Sequence, residues 1–165
     1  MSPALDLGDL DAFAVGTRGP VGQRVFLLQC RAGATLLTLK VEKQQVSVLA
    51  EYLGRVLQDL DRPHDLPEEL DVEEPSEPHW VIGTLGVTYD EDTDRVVLVA
   101  EELVAEDEQG DVARFSVTRA QAAAFAIRAT ALVEAGRPPC PLCGLPLDPS
   151  GHQCPRTNGH RPPTT

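Results

Sequence analysis

Short runs rich in Val, Leu and Phe occupy residues 12–17 (AFAVGT), 23–30 (QRVFLLQC) and 35–41 (TLLTLKV), with glycine-containing breaks between them. Such runs, bounded by turn residues, read as three strands. From Glu42 the period changes. Val46, Leu49, Leu53, Val56, Leu57 and Leu60 recur on one face of a helix predicted over 42–60. Pro63 and Pro67 follow in an acidic stretch that continues to Pro78 and reads as a solvated linker over 61–78.

After the linker the same order returns. Residues 80–89 (WVIGTLGVTY), 95–103 and 112–117 read as strands, and an alanine-rich helix is predicted over 119–135. Thr118 is its expected N-cap and Gly136 its expected stop. The residues repeat as well as the order. Val15-Gly16-Thr17-x-Gly19 parallels Ile82-Gly83-Thr84-x-Gly86, and Arg24-Val25-x-Leu27 parallels Arg95-Val96-x-Leu98. Leu39-x-Val41-x-Lys43-x-Gln45 parallels Phe115-x-Val117-x-Arg119-x-Gln121. The expected fold is α+β: two duplicated βββα units (12–60 and 79–136) forming a body over 1–136. They would build a six-stranded antiparallel sheet or open barrel, each helix covering an apolar face its own strands cannot bury alone. Residues 137–165 form a separate tail. The alternative is that any two βββα units look alike at this level.

Charge narrows the partners. The formal net charge is −12, from 26 acidic and 14 basic residues. Such a surface repels phosphate backbones and anionic membranes, so nucleic acid is a poor partner for the body. The opening residues lack the basic and apolar regions of an export signal, and no apolar run reaches the ~20 residues of a membrane helix. The expectation is a cytoplasmic protein with reduced thiols, whose four cysteines are metal ligands or core residues.

Three of those cysteines lie in the tail, within Cys140-Pro-Leu-Cys143-Gly and His152-Gln-Cys154-Pro. Two thiolates spaced by two residues and followed by glycine have the form of a zinc knuckle. His152 and Cys154, on one face of extended backbone, supply the expected second pair, with His160 as the competing fourth ligand. Leu142, Leu145 and Leu147 are the only sizeable apolar side chains there, outnumbered by prolines and glycines. So little core cannot offset backbone ordering at ~1–2 kcal/mol per residue, whereas a structural zinc worth ~10–16 kcal/mol can. Four protein ligands would close the shell and make the zinc structural, not catalytic. The alternatives are a Cys140–Cys143 redox pair or a tail without metal.

The other candidates are weaker. Cys30 reads as a small core residue and His64 and His79 as loop histidines. The Gly-Thr-x-Gly segments either cradle an anion or permit strand bends. Lys43-Gln44-Gln45 and Arg119-Ala120-Gln121, opening the two helices, are either a shared polar site or ordinary solvated first turns. No nucleophile-base set, phosphate loop or dinucleotide fingerprint occurs.

With these residues laid out, the chain resembles an uncharacterised actinobacterial family, the domain of unknown function 3090. The resemblance rests on the early Gly-Thr-x-Gly, Glu42-Lys43-Gln44-Gln45-Val46, Trp80-Val81-Ile82-Gly83 and the tail from Cys140 to Cys154-Pro-Arg-x-Asn-Gly. That family's pattern has an aromatic where this chain has His160, which implies His152 as the ligand. It implies no activity. The expectation is a non-catalytic zinc protein serving as an interaction or adaptor module, with Arg137, Arg156, Arg161 and Asn158 as the contact face for a protein partner. The alternative is a binding protein or enzyme for a small anion or nucleotide, its site between the two units.

Overall fold

The computed structural model describes residues 4–20, 22–58, 60 and 71–135. Its elements are β1 (Ala4–Asp9), β2 (Ala12–Arg18), β3 (Val25–Ala32), β4 (Thr35–Val41), α1 (Lys43–Gln58), β5 (Trp80–Asp90), β6 (Arg95–Glu102), β7 (Val112–Val117) and α2 (Arg119–Ala135). The fold is α+β, and none of its helices is long and apolar enough to cross a membrane among the described residues.

The sheet is mixed and has seven strands, in the order β1-β7-β6-β5-β4-β3-β2. Within each meander the pairing is antiparallel, but β4 runs parallel to β5 and β1 parallel to β7. The antiparallel expectation fails at the junction for a simple reason. With α1 between two neighbouring strands, the chain returns to the end from which β4 started, and the next strand must run the same way. The ladder is not closed into a ring. Its two edge strands are nonetheless consecutive, joined by Leu10 and Asp11, whose amides donate to Ser116 O at 2.9 Å and Arg31 O at 2.8 Å.

The strand β1 had no forecast from sequence. Asp and Gly, poor strand formers, make up half of ALDLGD, and pairing with β7 overrides that local preference.

Ladder register relates the two meanders residue by residue. Phe26 opposite Val41 corresponds to Val96 opposite Val117, and each pair ends two residues before a helix. By the same count Val15 and Phe13 of β2 correspond to Val87 and Leu85 of β5. The paired Gly-Thr-x-Gly segments therefore do not correspond: Gly16 lies mid-ladder opposite Leu27, while Gly83 lies at the register irregularity of β5.

The helices pack on each other, and α2 leans on the first strand of the other meander. Phe125 of α2 stacks on Phe13 of β2, ring centroids 4.1 Å apart, and Phe13 also meets Phe115 at 5.5 Å. Arg128 Nε donates to Val15 O at 2.7 Å. Small buried Ala122 and Ala129 let α2 sit close to the sheet. The result is one continuous core containing Val15, Leu28, Leu39, Leu98, Phe115 and Val117 from the sheet and Val46, Leu53 and Phe125 from the helices.

The end of the acidic stretch is not a solvated linker. Val72 is buried against Ala14 and Leu27 on the outer face of β2 and β3. Gln29 holds the backbone of Glu73 at both its N–H (2.7 Å) and its carbonyl (2.9 Å), Arg18 bonds Val72 O, and Arg31 pairs with Glu73. Gly16 is where the segment comes closest: a Cβ there would lie 2.2 Å from Asp71 Oδ1. Cations on the strands turn part of an apparent charge run into a docked strap.

The two helices begin alike. Gln45 Oε1 accepts from Glu42 N–H at 2.9 Å, and Gln121 Oε1 accepts from Thr118 N–H at 2.8 Å while Thr118 Oγ1 accepts from Gln121 N–H. The Thr118–Gln121 pair is a reciprocal cap, with Thr118 as forecast, and α1 carries the glutamine half of the same arrangement. Each glutamine also donates across to a strand: Gln121 Nε2 to Leu10 O at 2.9 Å, and Gln45 Nε2 to Gly83 O at 3.2 Å and Ile82 O at 3.5 Å. Gln121→Ala strands the Leu10 carbonyl at the β1–β2 corner and should cost about 1–3 kcal/mol in chemical denaturation. Gln45→Ala, which loses longer bonds, should cost less; equal losses would contradict this account.

Candidate functional site

The open surface of the first half lies between α1 and β5. A groove of about 610 Å³ has walls of Val48, Leu49 and Tyr52 from α1 and Leu85 and Val87 from β5. Glu42, Gln44 and Gln45 line the same groove at the start of the helix. The volume is in the ~300–1,000 Å³ range of small-ligand sites, and a mainly apolar wall with a few polar groups is their usual chemistry. Val48 is 58% exposed and Tyr52 44%, both large for apolar-bodied side chains.

At the corresponding place in the second half, side chains meet among the described residues. Counting from the helix starts, Leu49 and Tyr52 correspond to Phe125 and Arg128, and by ladder register Leu85 and Val87 correspond to Phe13 and Val15. There the Phe13–Phe125 stack and the reach of Arg128 to Val15 O fill the space. Leucines replace phenylalanines in the first half and the arginine becomes a tyrosine. One fold position is plugged, the other open.

The forecast sites fare differently. The helix starts are not a shared polar site. Leu132, in the last turn of α2, stands beside Lys43, so the helices run antiparallel and their first turns are at opposite ends. Gln45 and Gln121 are occupied in capping. Neither glycine motif is an anion cradle: Gly16 makes room for Asp71 and Val72, and Gly83 for Leu103, whose Cα would lie 2.9 Å from an added Cβ. Cys30 is fully buried in the core, and burial pushes its thiol far up, so it is inert. His79 belongs to the β4–β5 junction, its Nδ1 accepting from Thr38 N–H at 3.2 Å and its own N–H donating to Thr38 O at 2.7 Å. His64, the zinc candidates Cys140, Cys143, His152, Cys154 and His160, and Arg137, Arg156, Asn158 and Arg161 lie outside the described residues. Among the described residues no three His, Cys, Asp or Glu side chains are grouped to hold a metal ion.

Sequence reasoning missed a cluster at the β5–β6 turn. Asp94, in the left-handed region at φ 53°, accepts from Tyr89 Oη at 2.7 Å and pairs with both Arg119 nitrogens, Nε and Nη2, at 3.0 Å. The Tyr89 hydrogen bond, then Arg119, hold the Asp94 carboxyl below its ordinary value of 3.8, and the Asp94 bond pushes the Tyr89 phenol up. A lowered carboxyl stabilises the fold fully above its ordinary value and loses that contribution as pH falls through the lowered one. Asp94→Asn should therefore lower the melting temperature at about pH 6 and do so less at about pH 3. A depression that stays constant over that interval in thermal melts would argue against the ion pair.

The family model for "Protein of unknown function (DUF3090)" matches residues 6–154, from β1 into the cysteine-bearing tail. No curated protein and no solved structure matches this chain. The chain belongs to the DUF3090 family.

Proposed function

We propose that this protein is a non-enzymatic small-molecule-binding protein whose ligand has an apolar body and occupies the groove between α1 and β5. The observation that carries this reading is the asymmetry of the two halves: the groove is open over Leu49, Tyr52, Leu85 and Val87 and plugged where Phe125, Arg128, Phe13 and Val15 stand instead. The walls belong to α1 of one meander and β5 of the other, so the ligand lies between the two units. Glu42 and Gln44 would hydrogen-bond a polar end. Duplication of one βββα unit, with later divergence at this position, belongs to the same reading. The matching ladders and paired capping glutamines support it.

The tail carries a second element of the proposal, a structural zinc held by Cys140, Cys143, His152 and Cys154. The two ligand pairs and the lack of apolar residues around them support it. The zinc would shape the tail as a partner-contacting module through Arg137, Arg156 and Arg161. The tail's basic excess within an acidic chain favours this adaptor role as the second reading.

Copying the plugged half into the open one tests the ligand reading. With the apolar fluorophore ANS as probe, the wild type should show enhanced emission, and Leu49→Phe combined with Leu85→Phe should abolish most of it without lowering the melting temperature. Equal emission from both proteins would remove the groove as a ligand site. For the tail, elemental analysis should find about one zinc per chain, the number expected of a single four-ligand site. It should be lost in Cys140→Ser and His152→Ala but retained in His160→Ala. Purified protein without stoichiometric metal would end the zinc proposal.

A further inference from the structure

A second cavity, about 330 Å³, shares only Glu42 with the groove. We propose that it is an oxyanion site that takes the phosphate group of a small molecule. Three cations from separate elements line it: Arg24 from the lead-in to β3, Lys40 from β4 and Lys43 from the first turn of α1. Val25, Phe26 and Leu132 line it too, adding an apolar surface beside the charged groups. Glu42 is the one acid among the described lining residues.

These cations differ from most others among the described residues. Arg18, Arg31, Arg55, Arg95, Arg119 and Arg128 each have a carboxylate within ion-pair distance. Arg24, Lys40 and Lys43 have none among the described residues, a lack they share with exposed Arg114 of β7. Three like charges gathered on one cavity repel one another, and a bound anion relieves that repulsion.

The other half of the fold shows what belongs between them. Arg24 immediately precedes β3 as Asp94 immediately precedes β6, and Lys43 opens α1 as Arg119 opens α2. In the second half the Asp94 carboxylate lies against Arg119 at 3.0 Å and closes the position from within the chain. In the first half an arginine replaces that carboxylate, and Lys40 replaces Ser116. Internal neutralisation has become two added positive charges around the same place. An exogenous oxyanion restores the missing negative charge, and Arg24 supplies a planar fork suited to two of its oxygens. The volume, at the lower end of the small-ligand range, suits a phosphorylated metabolite and not a nucleic-acid strand.

Heteronuclear NMR titration of the full chain tests this at constant ionic strength, with inorganic phosphate and ribose 5-phosphate as probes and sodium chloride as control. Both probes should shift the Arg24, Lys40 and Lys43 amides and chloride should not. Tighter binding of ribose 5-phosphate assigns the site to a phosphorylated metabolite, and equal binding assigns it to the phosphate group alone. Arg24→Asp, which copies the second half, should weaken phosphate binding at least tenfold while leaving the melting temperature unchanged or raised. Lys43→Gln should weaken it several-fold. Shifts reproduced by chloride, or unchanged affinity in Arg24→Asp, would overturn the proposal.

Discussion

Three antiparallel strands and one helix leave apolar surface uncovered, and in this protein the two halves cover it for each other. Phe125 of α2 stacks on Phe13 of β2, and Gln121 bonds the β1–β2 corner; α1 packs on α2, and Gln45 bonds the first residues of β5 across an open groove. The parallel junction β4–β5 follows from the crossover of α1, because strands flanking such a helix in one sheet run the same way, whereas β1 reaches β7 from the other end of the chain. The main core is one cluster drawn from both halves, with a small second cluster of Ala14, Leu27 and Val72 on the outer face.

That interlocking makes the differences between the halves informative. Where corresponding side chains agree, as with Gln45 and Gln121, they hold the shared scaffold. Where they differ, one half is filled and the other open. Phe125, Arg128 and Phe13 plug a position that Leu49, Tyr52 and Leu85 leave as a groove. Asp94 neutralises Arg119 where Arg24 instead joins Lys43. Both openings touch Glu42 at the start of α1, and both take part of their lining from the other half, Leu85 and Val87 in one and Leu132 in the other. The filled position contributes packing and a hydrogen bond that the open one lacks.

The strap at 71–74 shows how composition misleads when read alone. Asp71, Glu73 and Glu74 look like part of a solvated acidic run, yet Arg18, Arg31 and Arg128 reach them, and Gln29 holds the backbone between them. Exposed pairs of this kind are each worth little, about 0–1 kcal/mol. Buried Val72 and the bonds to Gln29 fix the register, and the charges follow.

Local pattern determined much of this architecture. Three strands, a helix, three more strands and a second helix were legible because each element has its own hydrophobic period, and Thr118 was legible because only a few side chains cap a helix. The core role of Cys30 was legible for the same reason. Correspondence between the halves was legible only in part: Leu39 to Gln45 does match Phe115 to Gln121, but the two Gly-Thr-x-Gly segments do not match, because such glycines recur wherever backbone must approach closely, whatever their place in the ladder. Only tertiary structure decided β1, whose Asp and Gly disfavour a strand until β7 pairs with it, and the parallel β4–β5 junction, which depends on where α1 delivers the chain. It alone brought Arg24, Lys40 and Lys43 together from three elements and set them opposite the Asp94–Arg119 pair. A periodic pattern records which way a side chain faces; it does not record which distant residue it meets.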